Sequence, residues 1–324
     1  MENALKIKDL NVSFHVYGGQ VKAVRHLSME IHKGEVYALV GESGCGKSTI
    51  AHTLLRLNDP KMTEIHAEAL ELDGRDILNI PEIEMEMIRG DQISMIFQDP
   101  ITSLNPTMKI GKQITETLYR RGKMNGQECR MEAIRLLNLV QIPDAEIRYH
   151  QYPHQLSGGM KQRVMIAMAL ATQPSLLIAD EPTTALDVTT QAQILNIISD
   201  IQKEMKTSVL LITHDFGVVA NIADRVGVMY AGEILEEGSV NDIFSKPKFP
   251  YTQSLLKCLP STSDNGKLYN IPGEPPDLFA PPKGCPFAKR CESCMGICLK
   301  ESAPLIKVSQ EHFVYCWKEY VELL

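Results

Sequence analysis

One short run constrains the fold more than any other part of the chain. Residues 41–49 fit the pattern G-x-x-x-x-G-K-[ST]. Residues 35–40 before it form an apolar run of buried-strand length, and residues 48–57 after it have helical spacing. A strand, a glycine-rich loop and a helix in this order predict an α/β fold built around a phosphate-binding loop.

The residue types in this loop suit the phosphates of a nucleotide. Glycines allow a concave backbone whose N–H groups face phosphate oxygens, and the following helix N-terminus adds partial positive charge. Lys47 is expected to reach the β- and γ-phosphates, and the Ser48 hydroxyl to ligate Mg²⁺. Cys45 is interpreted as a small residue, although a helix N-terminus can also lower a thiol pKa and make it oxidisable. The predicted nucleotide-binding residues are Gly41, Glu42, Ser43, Gly44, Cys45, Gly46, Lys47, Ser48 and Thr49.

Strand-like and helix-like segments alternate up to about residue 260, as in an α/β domain. The strand candidates are residues 5–14, 36–40, 93–98, 176–180, 209–213 and a hairpin over 225–237. The helix candidates are residues 127–140, 159–171, 189–205 and 216–223. We therefore predict a domain over 1–260 with a helical subdomain near 100–172, then a polar linker at 260–264 and a proline- and cysteine-rich extension over 261–324.

Composition excludes several classes of protein. The 324 residues carry a net charge of −7, so no nucleic-acid partner is expected. Apolar runs stay well below the ~20 residues that span a bilayer, and the first residues lack a secretory apolar segment. We expect a cytoplasmic protein that meets a membrane only through a partner. In a reducing compartment its eight cysteines would not form a disulfide framework.

Two further runs fit nucleotide chemistry. Residues 176–179 are apolar and lead into Asp180 and Glu181, where a strand end would place one carboxylate near Mg²⁺ and the next as general base. Residues 156–160 read Leu-Ser-Gly-Gly-Met and open a helix. Ser157 is a candidate N-cap, and the exposed N–H groups of this helix start form a second anion site.

Together these runs resemble the motifs of the ATP-binding-cassette (ABC) ATPases. In that family the phosphate loop of one subunit holds ATP and Mg²⁺, and the signature run of a second subunit closes over the γ-phosphate. The resemblance implies that Ser157, Gly158, Gly159 and Met160 act in trans within a head-to-tail dimer.

Other residues match further ABC elements. Gln98 resembles the glutamine that contacts Mg²⁺ and water, so the implied Mg²⁺ set is Ser48, Gln98 and Asp180. In the run 185–187, Asp187 resembles the D-loop residue that touches the partner subunit, and His214 resembles the histidine that senses γ-phosphate. Tyr17 is predicted to stack on adenine, with Phe14 as the alternative.

Met160 stands where most ABC signatures have Gln, and the runs 152–155 and 103–106 accompany it. These features resemble the dipeptide, oligopeptide and nickel importer subgroup. The resemblance implies an integral membrane permease, a related second ATPase subunit and, indirectly, a substrate-binding protein as partners, with the chain peripheral on the inner face of the cell membrane.

The cysteine tail needs its own explanation. Cys285, Cys291, Cys298 and Cys316 are separated by 5, 6 and 17 residues, with Cys294 between them. So small a module is expected to lack its own apolar core, and a metal could cross-link it. Zinc prefers closely paired cysteines, whereas an iron–sulfur cluster also takes four thiolates, so both groups remain open.

The tail also resembles the C-terminal extension of peptide-importer ATPases, which holds a [4Fe–4S] cluster. The resemblance implies the ligands Cys285, Cys291, Cys298 and Cys316 and leaves Cys294 spare. We therefore predict the ATPase subunit of an ABC importer for di- or oligopeptides, in which Glu181 activates water. A nickel importer of the same subgroup and a soluble ABC ATPase outside transport are the alternatives.

Overall fold

The computed structural model describes residues 2–99, 103–120, 124–184, 187–259 and 269–322. Its strands are β1 (Asn3–Val16), β2 (Gly19–His32), β3 (Val36–Val40), β4 (Thr63–His66), β5 (Ala69–Leu72), β6 (Arg75–Asp76), β7 (Ile93–Ile96), β8 (Leu176–Asp180), β9 (Ser208–Thr213), β10 (Arg225–Tyr230), β11 (Glu233–Ser239), β12 (Ile306–Lys307) and β13 (Phe313–Val314).

The α-helices in these ranges are α1 (Lys47–Leu54), α2 (Glu82–Ile88), α3 (Ile110–Arg120), α4 (Gly126–Leu139), α5 (Ala145–Tyr149), α6 (Gly158–Leu170), α7 (Val188–Met205), α8 (Phe216–Ile222), α9 (Val240–Ser245), α10 (Pro250–Lys257) and α11 (Trp317–Glu322). The 3₁₀ helices are Pro153–Gln155, Ala288–Arg290 and Gly296–Leu299. The predicted α/β class is confirmed, and the predicted helices are found within a residue or two of their expected bounds.

The chain divides into two compact units. The first comprises Met1–Ala4, Ile31–Val36 and Asn79–Leu211, and the second comprises Leu5–Glu30, Tyr37–Leu78 and Ile212–Leu324. The second unit therefore contains both the phosphate loop and the C-terminal extension.

The first unit is built on parallel strands. β8 lies between β9 and β7, and its pairing with β7 is parallel, with Ile93 opposite Leu176. Every residue of β7 and β8 is buried, as expected for parallel strands with both faces covered. Helices α3 to α6 follow β7 in the chain and precede β8.

The second unit contains an antiparallel sheet in the order β2-β1-β5-β6, with β4 also paired to β1. Strand β2 was not predicted, and its backbone is irregular at His26, whose φ is 45°. In β1 a similar irregularity falls at Asp9, whose φ is 49°. The His26 ring nitrogen Nδ1 lies 2.8 Å from Asp9 Oδ1, so the two irregularities are paired across the sheet.

The second unit also holds strands in the order β12-β13-β11-β10-β3. The predicted hairpin is confirmed as β10 and β11, and β10 runs parallel to β3. β13 pairs with β11, with Val314 opposite Glu236, so the extension adds its own strands to this sheet.

The cysteine module packs on residues that lie outside it in the chain. Phe287 is 1% exposed and packs against Tyr230, Phe249 and Tyr251, with its ring centroid 5.3 Å from those of both tyrosines. The module therefore shares the core of the second unit. Local sequence patterns do not reveal such packing, because the partner rings lie far away in the chain.

Candidate functional site

The phosphate loop connects β3 to α1 in the second unit. Gly46 precedes the helix with φ of 107°, and a Cβ there would collide with the Ala23 carbonyl. A Cβ at Gly41 would collide with the Met229 carbonyl. Both glycines are therefore required by close backbone approaches as well as by the curve of the loop.

The Lys47 side chain is held inside this loop. Lys47 is 5% exposed, and its Nζ donates to the carbonyl oxygens of Gly41 at 2.8 Å and Glu42 at 2.9 Å. The ammonium is thus placed where the loop curves, as binding of a phosphate requires. Ser48 and Thr49 follow in the first turn of α1, directly after the loop.

Cys45 is a buried residue of the loop, and burial raises the pKa of its thiol above the ordinary value. This direction is opposite to the lowering that a helix N-terminus could give. Desolvation outweighs the opposing effect of Lys47 on this thiol, which supports the interpretation of Cys45 as a small packing residue.

The candidate catalytic carboxylates follow β8 in the first unit. Asp180 ends the strand and is 4% exposed. Glu181 has a left-handed φ of 45°, an uncommon conformation for a residue with a side chain. Its Oε2 accepts hydrogen bonds from Gln98 Nε2 and Thr184 Oγ1, both at 2.9 Å. The structure thus brings together Gln98 and Glu181, which are 83 residues apart in sequence.

The signature run begins α6 in the same unit. The predicted N-cap is confirmed, since the Ser157 hydroxyl accepts from the Met160 N–H at 3.3 Å. Ser157 and Gly158 are exposed, and Gly159 and Met160 are half-buried. An exposed helix start of this kind offers N–H groups to an anion from outside the chain.

Asp187 is the N-cap of α7. It accepts from the Thr190 N–H at 2.9 Å and from the Thr190 hydroxyl at 2.8 Å, and these hydrogen bonds lower the pKa of the carboxyl. A Cβ at Gly159 would lie 2.7 Å from Thr190 Cγ2. Thr190 therefore contacts both Asp187, through hydrogen bonds, and Gly159 of the signature run, through its methyl group. Residues 185 and 186, also assigned to the D-loop, lie outside the described residues.

Gln162 was not singled out from the sequence. It is 2% exposed, and its Nε2 donates to the Pro182 carbonyl at 2.7 Å. The signature helix is thereby bonded to the backbone just after Glu181. The sequence feature that could have indicated Gln162 is a polar residue among the apolar residues that α6 buries.

The remaining nucleotide-site candidates lie in the second unit. His214 directly follows β9 and is exposed, and Asp215 caps α8 through the N–H groups of Gly217 and Val218. Tyr17 lies in the turn between β1 and β2 with a fully exposed side chain, whereas Phe14 is half-buried in β1 opposite Thr63. The Tyr17 ring is thus open to a ligand, and its stacking on adenine stays a prediction.

Four cysteines of the extension line one small cavity of about 20 Å³, together with Phe249, Phe287 and Trp317; they are Cys285, Cys291, Cys298 and Cys316. Burial raises the pKa of Cys285 to about 12 and also raises the pKa values of the Cys291 and Cys316 thiols. Cys294 is exposed and does not line the cavity. Across the described ranges no group of three or more His, Cys, Asp or Glu side chains is arranged to hold a metal ion.

A buried strand, a glycine-rich loop with its lysine, and a helix define a P-loop nucleotide-binding protein. Residues 24–184 match the family described as ABC transporter. Residues 235–298 match the family described as oligopeptide/dipeptide transporter, C-terminal region.

Similar proteins cover nearly the whole chain. The oligopeptide transport ATP-binding protein OppD of Bacillus subtilis is 51% identical over 315 residues, which are 97% of this chain and 88% of that protein. The dipeptide transport ATP-binding protein DppD of the same organism is 50% identical, covering 98% of this chain and 95% of its own. OppD of Salmonella typhimurium is 47% identical over 99% of this chain and 95% of that protein.

Solved structures agree. The dimeric ATP-binding cassette MJ0796, in a post-hydrolysis state bound to ADP and Pi, superposes with a TM-score of 0.64 at 29% identity, over 73% of this chain and 98% of that chain. The chain therefore belongs to the ABC transporter ATP-binding proteins, in their oligopeptide and dipeptide transport group. The family predicted from the motifs is confirmed. Within the described ranges no helix is both long and apolar enough to cross a membrane.

Proposed function

We propose that this chain is the ATPase subunit of an importer for di- or oligopeptides, bound peripherally to the inner face of the cell membrane. The observation that carries the proposal is the identity of about half of all residues, over nearly the full chain, to oligopeptide and dipeptide transport ATP-binding proteins. The match of residues 235–298 to the oligopeptide/dipeptide C-terminal region favours peptides over nickel as cargo.

The reaction is transfer of the γ-phosphoryl group of ATP to water. The loop around Lys47 binds the phosphates, and Ser48, Gln98 and Asp180 are assigned to Mg²⁺ on the family resemblance. When bound, Mg²⁺ neutralises charge that develops on the phosphates. Glu181 takes the proton from the attacking water, and its hydrogen bonds from Gln98 and Thr184 set the direction of its carboxylate.

A second ATPase subunit completes the site in our proposal. Its signature run and Asp187 equivalent would meet ATP held by this chain, while Ser157 to Met160 of this chain would serve the partner. The exposed start of α6 supports this role, and the similar cassette MJ0796 was solved as a dimer. We expect the second subunit to be a related but different chain.

An integral membrane permease is the proposed partner of the first unit, with a substrate-binding protein acting through it. The supporting feature is a cleft of about 740 Å³ within that unit, whose lining includes Arg89, Asp91, Ser103, Gln113 and Glu116. Ser103 and Gln113 of this lining belong to the segment near residues 98–114 that we assign to coupling. Its size and mixed charge suit a polar, partly helical segment of another protein.

We also propose that the cysteine module holds a [4Fe–4S] cluster, with Zn²⁺ as the alternative. Four thiols line one cavity and are the type of donor that either group takes, but among the described residues no three of them are arranged around an ion. A four-iron cluster is larger than one ion, so its ligands stand farther apart than those of a single zinc. As described, the cavity has room for about one water molecule, so the thiols would have to spread around a cluster.

Two measurements test these proposals separately. In cells that lack the gene, uptake of a labelled tripeptide should be restored by the wild-type chain and not by Lys47→Ala, whereas uptake of radioactive nickel should not depend on it. Dependence of nickel uptake alone would overturn the peptide assignment. Anaerobic purification followed by iron, sulfide and zinc analysis should find about four irons per chain. Stoichiometric zinc with no iron would overturn the cluster.

A further inference from the structure

One arginine of the cysteine module forms an ion pair with the phosphate loop. Arg290, next to Cys291, forms a two-pronged ion pair with Glu42: its NH1 lies 2.8 Å from Oε2 and its NH2 lies 3.0 Å from Oε1. Both residues belong to the second unit. Glu42 is the second residue of the loop pattern that begins at Gly41. The pair therefore joins two parts of the chain that are 248 residues apart.

The guanidinium is almost fully enclosed by acceptors. It also donates to the Tyr230 hydroxyl at 3.2 Å, the Ile271 carbonyl at 3.3 Å and the Pro272 carbonyl at 3.0 Å. Its side chain is 5% exposed, against 26% for Glu42. Each nitrogen of the planar guanidinium has an acceptor, so the group has little freedom to move. Its position is therefore set by its surroundings in the second unit.

Glu42 is held on its other sides as well. Its backbone N–H donates to the Tyr251 hydroxyl at 2.9 Å, and its carbonyl accepts from Lys47 Nζ at 2.9 Å. Tyr251 packs on Phe287 of the cysteine module, with ring centroids 5.3 Å apart. Two residues of the module thus act on Glu42, one directly and one through Tyr251.

The negative charge of Glu42 makes its ion pair with Arg290 relevant to nucleotide binding. A carboxylate within a loop that binds a triphosphate adds negative charge where the ligand already brings several. Arg290 cancels that charge and fixes the Glu42 side chain. If Arg290 is lost, a partly buried carboxylate stays uncompensated beside the phosphates, which is costly.

We infer that Arg290 is a positioning residue for ATP binding, acting through Glu42, so that the cysteine module sets the affinity of the phosphate loop. The inference rests on the proposed function, because it concerns the same ATP site. It assigns the extension a task in nucleotide binding that its cysteines alone do not indicate.

The test is a double-mutant cycle in the full chain. Arg290→Gln should raise the Kd of a fluorescent ATP analogue and the KM for ATP about tenfold, with kcat within about twofold, because the loss falls on binding rather than on the transition state. In a Glu42→Gln background the same Arg290→Gln change should alter Kd by less than about twofold, since the two effects are not additive when one residue acts through the other.

Lys289→Gln is the matched control, because Lys289 is the exposed neighbour with the same charge. It should leave Kd unchanged. Thermal unfolding and metal content of each variant check the fold, and Arg290→Met, which also removes the charge, replaces Arg290→Gln in the cycle if the latter does not fold. An equal rise of Kd in both backgrounds, or no rise in the wild-type background, would overturn the inference. A wild-type chain that binds no ATP would instead refute the proposed function.

Discussion

The side-chain amide of Gln98 donates to the Glu181 carboxylate, with 2.9 Å between Nε2 and Oε2. Thr184 donates to the same oxygen at 2.9 Å, and Glu181 itself has a φ of 45°. A non-glycine residue held in this region needs support from its surroundings, and such residues concentrate at functional sites. The two donors orient the carboxylate that we propose as general base.

The first prediction concerns Glu181. Glu181→Gln keeps the size and the contacts of the side chain but removes its ability to accept a proton. Steady-state ATP hydrolysis should fall by a factor of about 10²–10⁴, while the Kd of an ATP analogue stays within about threefold. Gln98→Ala, which removes one of the two orienting donors, should give a smaller loss of kcat. Normal hydrolysis by Glu181→Gln would remove this residue from its assigned role.

The second prediction separates packing from function in the signature run. Gly159→Ala places a Cβ 2.7 Å from Thr190 Cγ2, so the melting temperature should fall in line with a cost of about 1–3 kcal/mol. Thr190→Ser removes that methyl group and keeps the hydroxyl that bonds Asp187. The double variant should therefore recover its stability.

Turnover should respond differently in the same variants. If Gly159 meets the partner's ATP, the added methyl group still obstructs that contact, so ATP hydrolysis stays low after Thr190→Ser. Gly158→Ala is the control for stability, because nothing lies within 4 Å of a Cβ at that position. Full recovery of hydrolysis in the double variant would show that Gly159 serves packing alone.

The third prediction distinguishes the cysteines. Cys298→Ser changes a thiol that lines the shared cavity, whereas Cys294→Ser changes an exposed one outside it. Metal content per chain should fall to background in the first variant and stay at the wild-type value in the second. Equal metal content in the two variants would contradict the proposed ligand set.

The fourth prediction concerns the attachment of the extension. Glu236 is 1% exposed, lies 2.8 Å from His312 Nε2, and accepts the N–H groups of Lys248 and Phe249 at 2.6 and 3.1 Å. Glu236→Ala leaves these buried or partly buried groups without their acceptor, so the free energy of unfolding should fall by at least about 1–3 kcal/mol. Denaturant unfolding measures the change.

The control for this loss is Glu311→Ala, which removes an exposed carboxylate next to His312 in the chain. It should change the free energy of unfolding by less than about 0.5 kcal/mol. A comparable loss in both variants would show that the buried acceptor is not what fastens this part of the extension.

Much of the site was predictable because its motifs are local. The pattern at 41–49 predicts a phosphate-binding loop. Two of its glycines, Gly41 and Gly46, are required because a Cβ there would collide with a backbone carbonyl. Ser157 was predictable as an N-cap because a hydroxyl can satisfy an N–H group three residues on. Strands β3 and β8 were predicted with their observed bounds, because fully buried parallel strands are continuous apolar runs.

Other features depend on contacts with residues far away in the chain, which a local sequence pattern cannot predict. Strand β2 was not predicted, and Gln162 was missed because its acceptor, the Pro182 carbonyl, lies 20 residues away in the chain. The contact between Phe287 and Tyr251 could not be predicted either, because it forms only when the extension folds back onto α10.

By itself the sequence determined the phosphate loop, the acidic strand end and the signature helix, because each depends on residues a few positions apart. Only the tertiary structure decided that Gln98 orients Glu181 and that Arg290 of the cysteine module holds Glu42 of the loop. The physical reason is that hydrogen bonds and ion pairs form between groups that folding brings within about 3 Å, whatever their separation along the chain.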